Sequence, residues 1–319
     1  RNLKVPSSPV VYSCRKPLSP TTDTITLQIP LLSWSMTDPS TKTSGSLYSN
    51  EKIWSRPLAS SRLELKNPRS LPFSKAIPKS SMDELIGESV YGKYGNEFPL
   101  LIKFIDACDR LSIQVHPDDR LASERHHAWG KTEMWYVLRA EPGARIGAGF
   151  SRALSRKQLR AAAESGEIGS LLGWWPAREG QVWFLPPGTV HALGAGLVVC
   201  EIQVNNQITY RLFDFGRGRQ LHLDDAVAVA DTGPYPGPSE PAGSRLAECP
   251  YFVVERIELK GETEIRSGNG FELLVVLQGE GRAGESDFRR GQVWYVPPGV
   301  GSVICSPGGA RLLRVYEPS

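Results

Sequence analysis

No apolar run in the 319 residues approaches the ~18 needed to cross a bilayer as a helix, so a helical membrane protein is excluded. Cysteine is scarce. The five present (14, 108, 200, 249 and 305) are odd in number, widely spread and form no C-x-x-C pair. That argues against a disulfide-stapled scaffold and a cysteine zinc finger, and suits a reducing compartment. A net charge of only +3 predicts no large anionic partner, nucleic acid included. No glycine-rich turn opens a helix, which disfavours nucleotide binding.

Scarcity is also unevenly distributed. Residues 1–80 contain one glycine and no histidine, but 12 Lys+Arg, 4 Asp+Glu and 33 Ser, Thr or Pro. The remainder holds 30 of the 31 glycines, all five histidines, 25 basic and 30 acidic residues. The first stretch lacks a sustained hydrophobic period and is a poor candidate for a packed core. It is basic and acid-poor, as targeting peptides can be, yet no amphipathic Arg-rich helix is visible. Its apolar patch around 25–36 is broken by Gln28 and Pro30, against a signal peptide. The chain starts at Arg1 rather than Met, as expected of a fragment or a translated gene model.

From about residue 81 the pattern is one of short strands. FPLLIKFIDA (98–107), LSIQVHP (111–117), EMWYVLRA (133–140), QVWFLPP (181–187), LVVCEIQV (197–204) and ITYRLFDF (208–215) are rich in branched and aromatic residues and bounded by turn formers. SRALSRKQLRAAAESGEIGSLL (151–172) has helix formers, a Ser start and Leu at helical spacing, and reads as a helix inserted between strands. MDELIGESVYG (82–92) can hold a short helix. The Pro/Gly run around 233–244 divides the strand-rich part into 81–232 and 245–319.

An internal repeat fixes the fold class. GQVWFLPPGTVH (180–191) and GQVWYVPPGVGS (291–302) share seven of twelve residues, and EMWYVL (133–138) matches ELLVVL (272–277). Strand, Gly turn, strand and Pro-Gly turn are the marks of a cupin. The expected architecture is therefore mainly β, with two cupin-like jelly-roll lobes and a helical insertion in the first.

Only the first copy carries metal-binding side chains. Gln114 and His116 are spaced i, i+2 on a strand and face one side, as do Lys131 and Glu133 on the next. His191 follows the LPPG turn. Two imidazoles, a carboxylate and an amide oxygen suit a borderline divalent ion, zinc before others, with a coordination position left open. In the second copy Glu272 remains, but Ser302 stands opposite His191, and no histidine follows His222. The fold alone does not demand these groups. His126, His127 and His222 lie in polar stretches and read as surface residues. Asp118 and Asp119 read as a turn, one of them a candidate to orient His116.

QVHPDD (114–119), GKTEMWYVL (130–138), FLPPGTVHALGAG (184–196) and EIQVNNQITYRLFDF (201–215) resemble the short bacterial form of type I mannose-6-phosphate isomerase, densely over 82–232 and more loosely over 245–319. The resemblance implies one Zn²⁺ per chain on Gln114, His116, Glu133 and His191. It implies a catalytic arginine at Arg211, and Lys131 and Glu201 at other active-site positions. It also implies aldose–ketose isomerisation of a sugar phosphate. Before residue 80 it lapses. The family's Ile-Trp-Gly-Gly turn is begun by EKIW (51–54) but continues as SRPLASS, and no Gly-Glu-x-Trp strand follows. Residues 1–80 thus read as a disordered or frame-shifted segment.

Such a reaction moves a proton between C1 and C2 through a cis-enediol, so it needs charge stabilisation and an acid/base. Lys131 is either that acid/base or a phosphate ligand. Glu201 is either a proton carrier or a structural partner of Arg211. A permanently charged, planar guanidinium at Arg211 suits the enediolate. A cytoplasmic monomer or weak homo-oligomer, free of membrane, is expected. The alternatives are a catalytically impaired sugar-phosphate-binding cupin and, less well matched to a Gln and a Lys-Thr-Glu, a cupin metal oxygenase.

Overall fold

The structure, a computed structural model, describes residues 79–319 apart from 242, 285 and 319. The Ser/Thr/Pro-rich stretch, read as disordered or frame-shifted, therefore lies almost wholly outside the described residues. Two helices, α1 (Lys79–Ile86) and α2 (Glu88–Tyr94), precede β1 (Leu100–Ala107) and β2 (Ile113–Val115). Then come α3 (Asp119–His126), β3 (Glu133–Ala140) and β4 (Arg145–Phe150). An insertion of α4 (Arg156–Ser165) and α5 (Ile168–Leu171) is followed by β5 (Leu172–Pro176), β6 (Val182–Leu185), β7 (His191–Leu193), β8 (Leu197–Val204), β9 (Tyr210–Phe213) and α6 (Leu223–Val229). The second lobe comprises β10 (Arg245–Glu248), β11 (Val253–Arg266), β12 (Glu272–Ala283), β13 (Ser286–Arg289), β14 (Val293–Val296) and β15 (Gly301–Tyr316).

The first lobe is a sandwich of two antiparallel sheets, β1-β8-β3-β6 and β5-β4-β7-β2-β9. Strand alternation assigns every side chain to one of two environments. Ile105, Trp135, Val137, Trp183, Leu185, Leu197 and Val199 point inward and meet Ile146, Ala148 and Leu193 of the facing sheet. The intervening residues of the four-stranded sheet, among them Ile102, Met134, Tyr136, Cys200 and Ile202, form a second core with Phe252, Phe271, Leu273 and Val315 of the second lobe. Burying each such aliphatic side chain contributes about 1.5–3 kcal/mol, so the seam joins the lobes firmly. The outer face of the other sheet (Ile113, Val115, Ala192, Leu212) is covered by Leu159, Ala163, Ile168 and Ala226 from the helices.

The inserted helix expected over 151–172 is two helices. Ser155 caps α4 with a full capping box to Gln158, and Gly166 ends it in the left-handed conformation (φ 81°). Residues 172–176 have already joined the sheet as β5. Among the described residues no helix is long and apolar enough to cross a membrane.

The repeat recurs as register. Glu133 of β3 lies opposite Leu185 of β6, and Glu272 of β12 opposite Val296 of β14. The second lobe is one six-stranded sheet, β10-β11-β15-β12-β13 with β14 also paired to β12. Its interior is apolar, built from Leu274, Val276, Phe288, Ile304 and Leu312.

Candidate metal centre and active site

The inward faces that make the first core also make the site, one layer further along. On the four-stranded sheet, Lys103 (β1), Glu133 (β3), and Glu201 and Gln203 (β8) continue the inward rows of Ile105, Trp135 and Val199. On the facing sheet, Gln114 of β2 sits between His191 of β7 and Arg211 of β9 in the ladder. His116 follows the end of β2, its carbonyl accepting from Gly188 N at 2.9 Å.

Three of these residues converge. His116 Nε2 is 3.4 Å from Glu133 Oε1, and His191 Nε2 is 3.4 Å from Glu133 Oε2. All three side chains are buried, and one ligand atom from each lies within 4.8 Å of the others. Each imidazole donates Nδ1–H to a backbone carbonyl, His116 to Ile208 O and His191 to Thr189 O, both at 2.8 Å. That fixes the tautomer with the Nε2 lone pair aimed at the carboxylate. Two lone-pair nitrogens and a carboxylate then face one another. His116 Nε2 and Glu133 Oε2 are buried with no hydrogen-bond partner, while Glu133 Oε1 lies 2.8 Å from Lys131 Nζ. Acceptors facing one another in this way favour a cation between them.

Electrostatics keep the set in its ligating state. Burial acts to raise the Glu133 carboxyl, but the Lys131 ammonium beside it outweighs this and holds it well below the usual carboxylate range. Burial first, then Lys131, pushes His116 down to about 4, and burial likewise lowers His191. Both imidazoles are neutral near pH 7, as metal binding requires.

Gln114 presents Nε2 to His191 Nε2 at 3.3 Å, while its Oε1 accepts from Ser112 Oγ at 3.2 Å. A half-turn of the amide exchanges these roles and offers an oxygen to the same point. The repeat supplies an internal control for the donor set. Glu272, at the register position of Glu133, has both oxygens taken by Arg314 at 2.7 and 2.6 Å. The second lobe satisfies both oxygens of its buried carboxylate with a guanidinium; the first gives one oxygen to Lys131 and leaves the other facing the imidazoles.

Beside this group lies a cavity of about 190 Å³. Its walls include the cationic Lys103, Lys131, Arg211 and Arg219 and the acidic Glu133 and Glu201. Lys131 Nζ is 2.8 Å from Glu133 Oε1. Arg211 donates through Nη1 to Gln220 O at 2.9 Å and leaves Nε buried without a partner. Burial, then the nearby Arg219 charge, lowers its pKa, though a guanidinium stays charged. All seven residues singled out in the sequence (Gln114, His116, Lys131, Glu133, His191, Glu201, Arg211) are thus brought to one site.

Some expectations change. Glu201 is not a partner of Arg211: its oxygens take Lys103 Nζ at 2.7 Å and Trp135 Nε1 at 2.8 Å, because β1 and β3, not β9, flank β8. Neither aspartate after Pro117 orients His116, whose Nδ1 is bound to a carbonyl. Asp118 caps α3 through Leu121 N, and Asp119 accepts from Gly130 N at 2.7 Å. His126 and His127 are exposed, as expected, and His222 Nδ1 accepts from Arg211 N at 3.2 Å. Lys103, Trp135 and Arg219 were missed. Lys103 carried a signal, being the one charge inside the apolar run LLIKFI, two residues from inward-facing Ile105.

The model of the type I phosphomannose isomerase catalytic domain matches residues 34–137, beginning inside the stretch that the motifs left unmatched. Mannose-6-phosphate isomerase of Streptococcus mutans is 36% identical over 65% of this chain and 70% of its own length. The chain belongs to the type I phosphomannose isomerase family. ManA of Bacillus subtilis, a second relative of that name, is 34% identical over 65% of this chain and 71% of its own. The Bacillus subtilis mannose 6-phosphate isomerase crystal structure superposes with a TM-score of 0.64 at 29% identity, over 74% of this chain and 80% of that one. A putative mannosephosphate isomerase from Archaeoglobus fulgidus, at 24% identity and TM-score 0.63 over 74% of this chain and 77% of its own, shares the fold. The phosphomannose isomerase likeness thus spans both lobes and the mainly β, cupin-like architecture expected from the repeat.

Proposed function

We propose that the protein interconverts mannose 6-phosphate and fructose 6-phosphate, with one zinc ion held by Gln114, His116, Glu133 and His191. The observation that carries this reading is the buried His116–Glu133–His191 group, in which His116 Nε2 and Glu133 Oε2 face one another's ligand atoms without a donor, while the twin carboxylate Glu272 has both oxygens closed by Arg314. A borderline N/O donor set of this kind favours zinc. Bound there, the ion would act as a Lewis acid on the sugar oxygens.

The chain's own residues supply the rest. Four cationic side chains against two carboxylates give the cavity a surplus of positive charge suited to a phosphate dianion and to an enediolate. Arg211, with its unpartnered Nε, stabilises the charge that develops on the substrate oxygen. Lys131 is the better placed proton carrier between C1 and C2. Its ammonium is buried beside the metal ligands, whereas both oxygens of Glu201 are occupied by Lys103 and Trp135. Glu201 then serves by holding Lys103 at the cavity wall. Sugar phosphates are charged and do not leave cells freely, which supports a cytoplasmic protein. Monomers or weak homo-oligomers suffice, since every assigned group comes from one chain. A coupled assay on mannose 6-phosphate tests the reading. Turnover supports it. Tight binding without turnover would leave only a sugar-phosphate-binding cupin.

A further inference from the structure

Among the described residues of the second lobe no group of His, Cys, Asp and Glu is placed to hold a metal ion, yet this lobe touches the segment that carries the first lobe's site. Asp119, at the start of α3, accepts from Gly130 N at 2.7 Å through Oδ1 and from Tyr251 Oη at 2.6 Å through Oδ2. Tyr251 lies in the β10–β11 turn of the second lobe. That turn is pinned in its own right: Lys93 Nζ donates to Pro250 O and to Glu317, each at 2.8 Å, and lies 5.6 Å from the Tyr251 ring.

The far end of the chain of contacts is equally constrained. Lys131 N donates to Pro117 O at 3.1 Å, so backbone 117–119 and backbone 130–131 are tied together. Gly130 has no room for a side chain. A Cβ there would lie 2.5 Å from Asp119 N and 2.6 Å from Asp118 C. His116 leads into one side of this junction, and Lys131 and Glu133 leave the other.

We infer that Tyr251 is a positioning residue, through which the second lobe fixes Lys131 by way of Asp119 and Gly130. This rests on the isomerase reading for its catalytic consequence but not for its geometry. Tyr251 is not among the residues that line the cavity. Its bond to a carboxylate sets where the Asp119 oxygens lie, and these set the backbone that presents Lys131. The second copy of the repeat thus has a task of its own in the reaction.

Tyr251→Phe in the full chain is the test, with Tyr295→Phe as control. Tyr295 Oη bonds Leu85 O, another hydroxyl contact from the second lobe, but does not touch residues 117–131. Tyr251→Phe is expected to lower kcat roughly tenfold, the loss of one hydrogen bond to a charged group. KM and metal content should stay unchanged, and amide exchange at Gly130 should quicken. Tyr295→Phe should do none of this. Asp119→Asn, which retains an oxygen for Gly130 N–H, should lose less kcat than Asp119→Ala. The inference is overturned by unchanged kcat or unchanged Gly130 exchange in Tyr251→Phe, or by an equal loss of kcat in the control. Absence of turnover in the unmodified chain would instead refute the isomerase reading, and the exchange measurement would then decide the brace alone.

Discussion

Glu133 and Glu272 occupy equivalent positions of a repeated fold, and the account predicts that the same substitution at each has opposite consequences. In the second lobe, Glu272→Gln removes the charge from a carboxylate whose two oxygens both accept from Arg314. Breaking a fully buried pair costs about 3–5 kcal/mol. Here the arginine is 28% exposed and keeps Arg266 O at 3.2 Å, so a discount to about 1–2 kcal/mol applies. At roughly 2–4 °C per kcal/mol for a chain of this size, Tm should fall by about 2–8 °C. Metal content and kcat should not change. In the first lobe, Glu133→Gln removes the carboxylate that faces both imidazoles and leaves Lys131 without its partner. Turnover and bound metal should both be lost. The assays are thermal unfolding, metal analysis of dialysed protein and the coupled isomerase assay, run on the three proteins together. If Glu272→Gln abolished turnover, or Glu133→Gln kept its metal, the contrast between a carboxylate turned to two imidazoles and one closed by an arginine would be wrong.

Other expectations follow from the same geometry. His191→Ala removes a ligand and the partner of Gln114, so metal analysis should find the ion gone and the assay no turnover. Arg211→Ala should retain its metal while kcat falls by roughly 10²–10³, the usual cost of removing a preorganised donor. Lys103 is lowered by burial but raised more by Glu201 and then Glu133, leaving its pKa above the ordinary 10.5. Its stabilising contribution is therefore complete below that value and lost as pH rises through the raised one. Alkaline unfolding should begin at lower pH in Glu201→Gln, as followed by circular dichroism; an unmoved transition would mean the pair contributes nothing.

Much of the site was legible because strand alternation is unforgiving. Once Gln114 and His116 share a face, a barrel sends both inward, and the LPPG turn delivers His191 to the adjoining strand. The repeat did more, since aligning Glu133 with Glu272 reproduces the observed registers opposite Leu185 and Val296. Arg314 as the closing partner of Glu272 was not legible, because the pairing of β12 with β15 spans 42 residues and no local signal encodes it. Helix α3 was hidden by its polarity: of its side chains only Ala122 is buried, and the start is set by the Asp118 cap rather than by hydrophobic period. In α6 the run AVAVA alternates like a strand, yet burial of Ala226 and Val227 under the sheet makes it helical. Arg219 lies in an irregular stretch where neither period applies, and its place at the cavity depends on Asp214, which binds it at 2.9 Å.

The most direct test of the central claim is metal removal and restoration on the unmodified chain, with turnover of mannose 6-phosphate read at each stage. The account predicts about one zinc per chain as purified, no turnover after chelation and recovery on adding zinc back. Undiminished turnover in metal-free protein would contradict it.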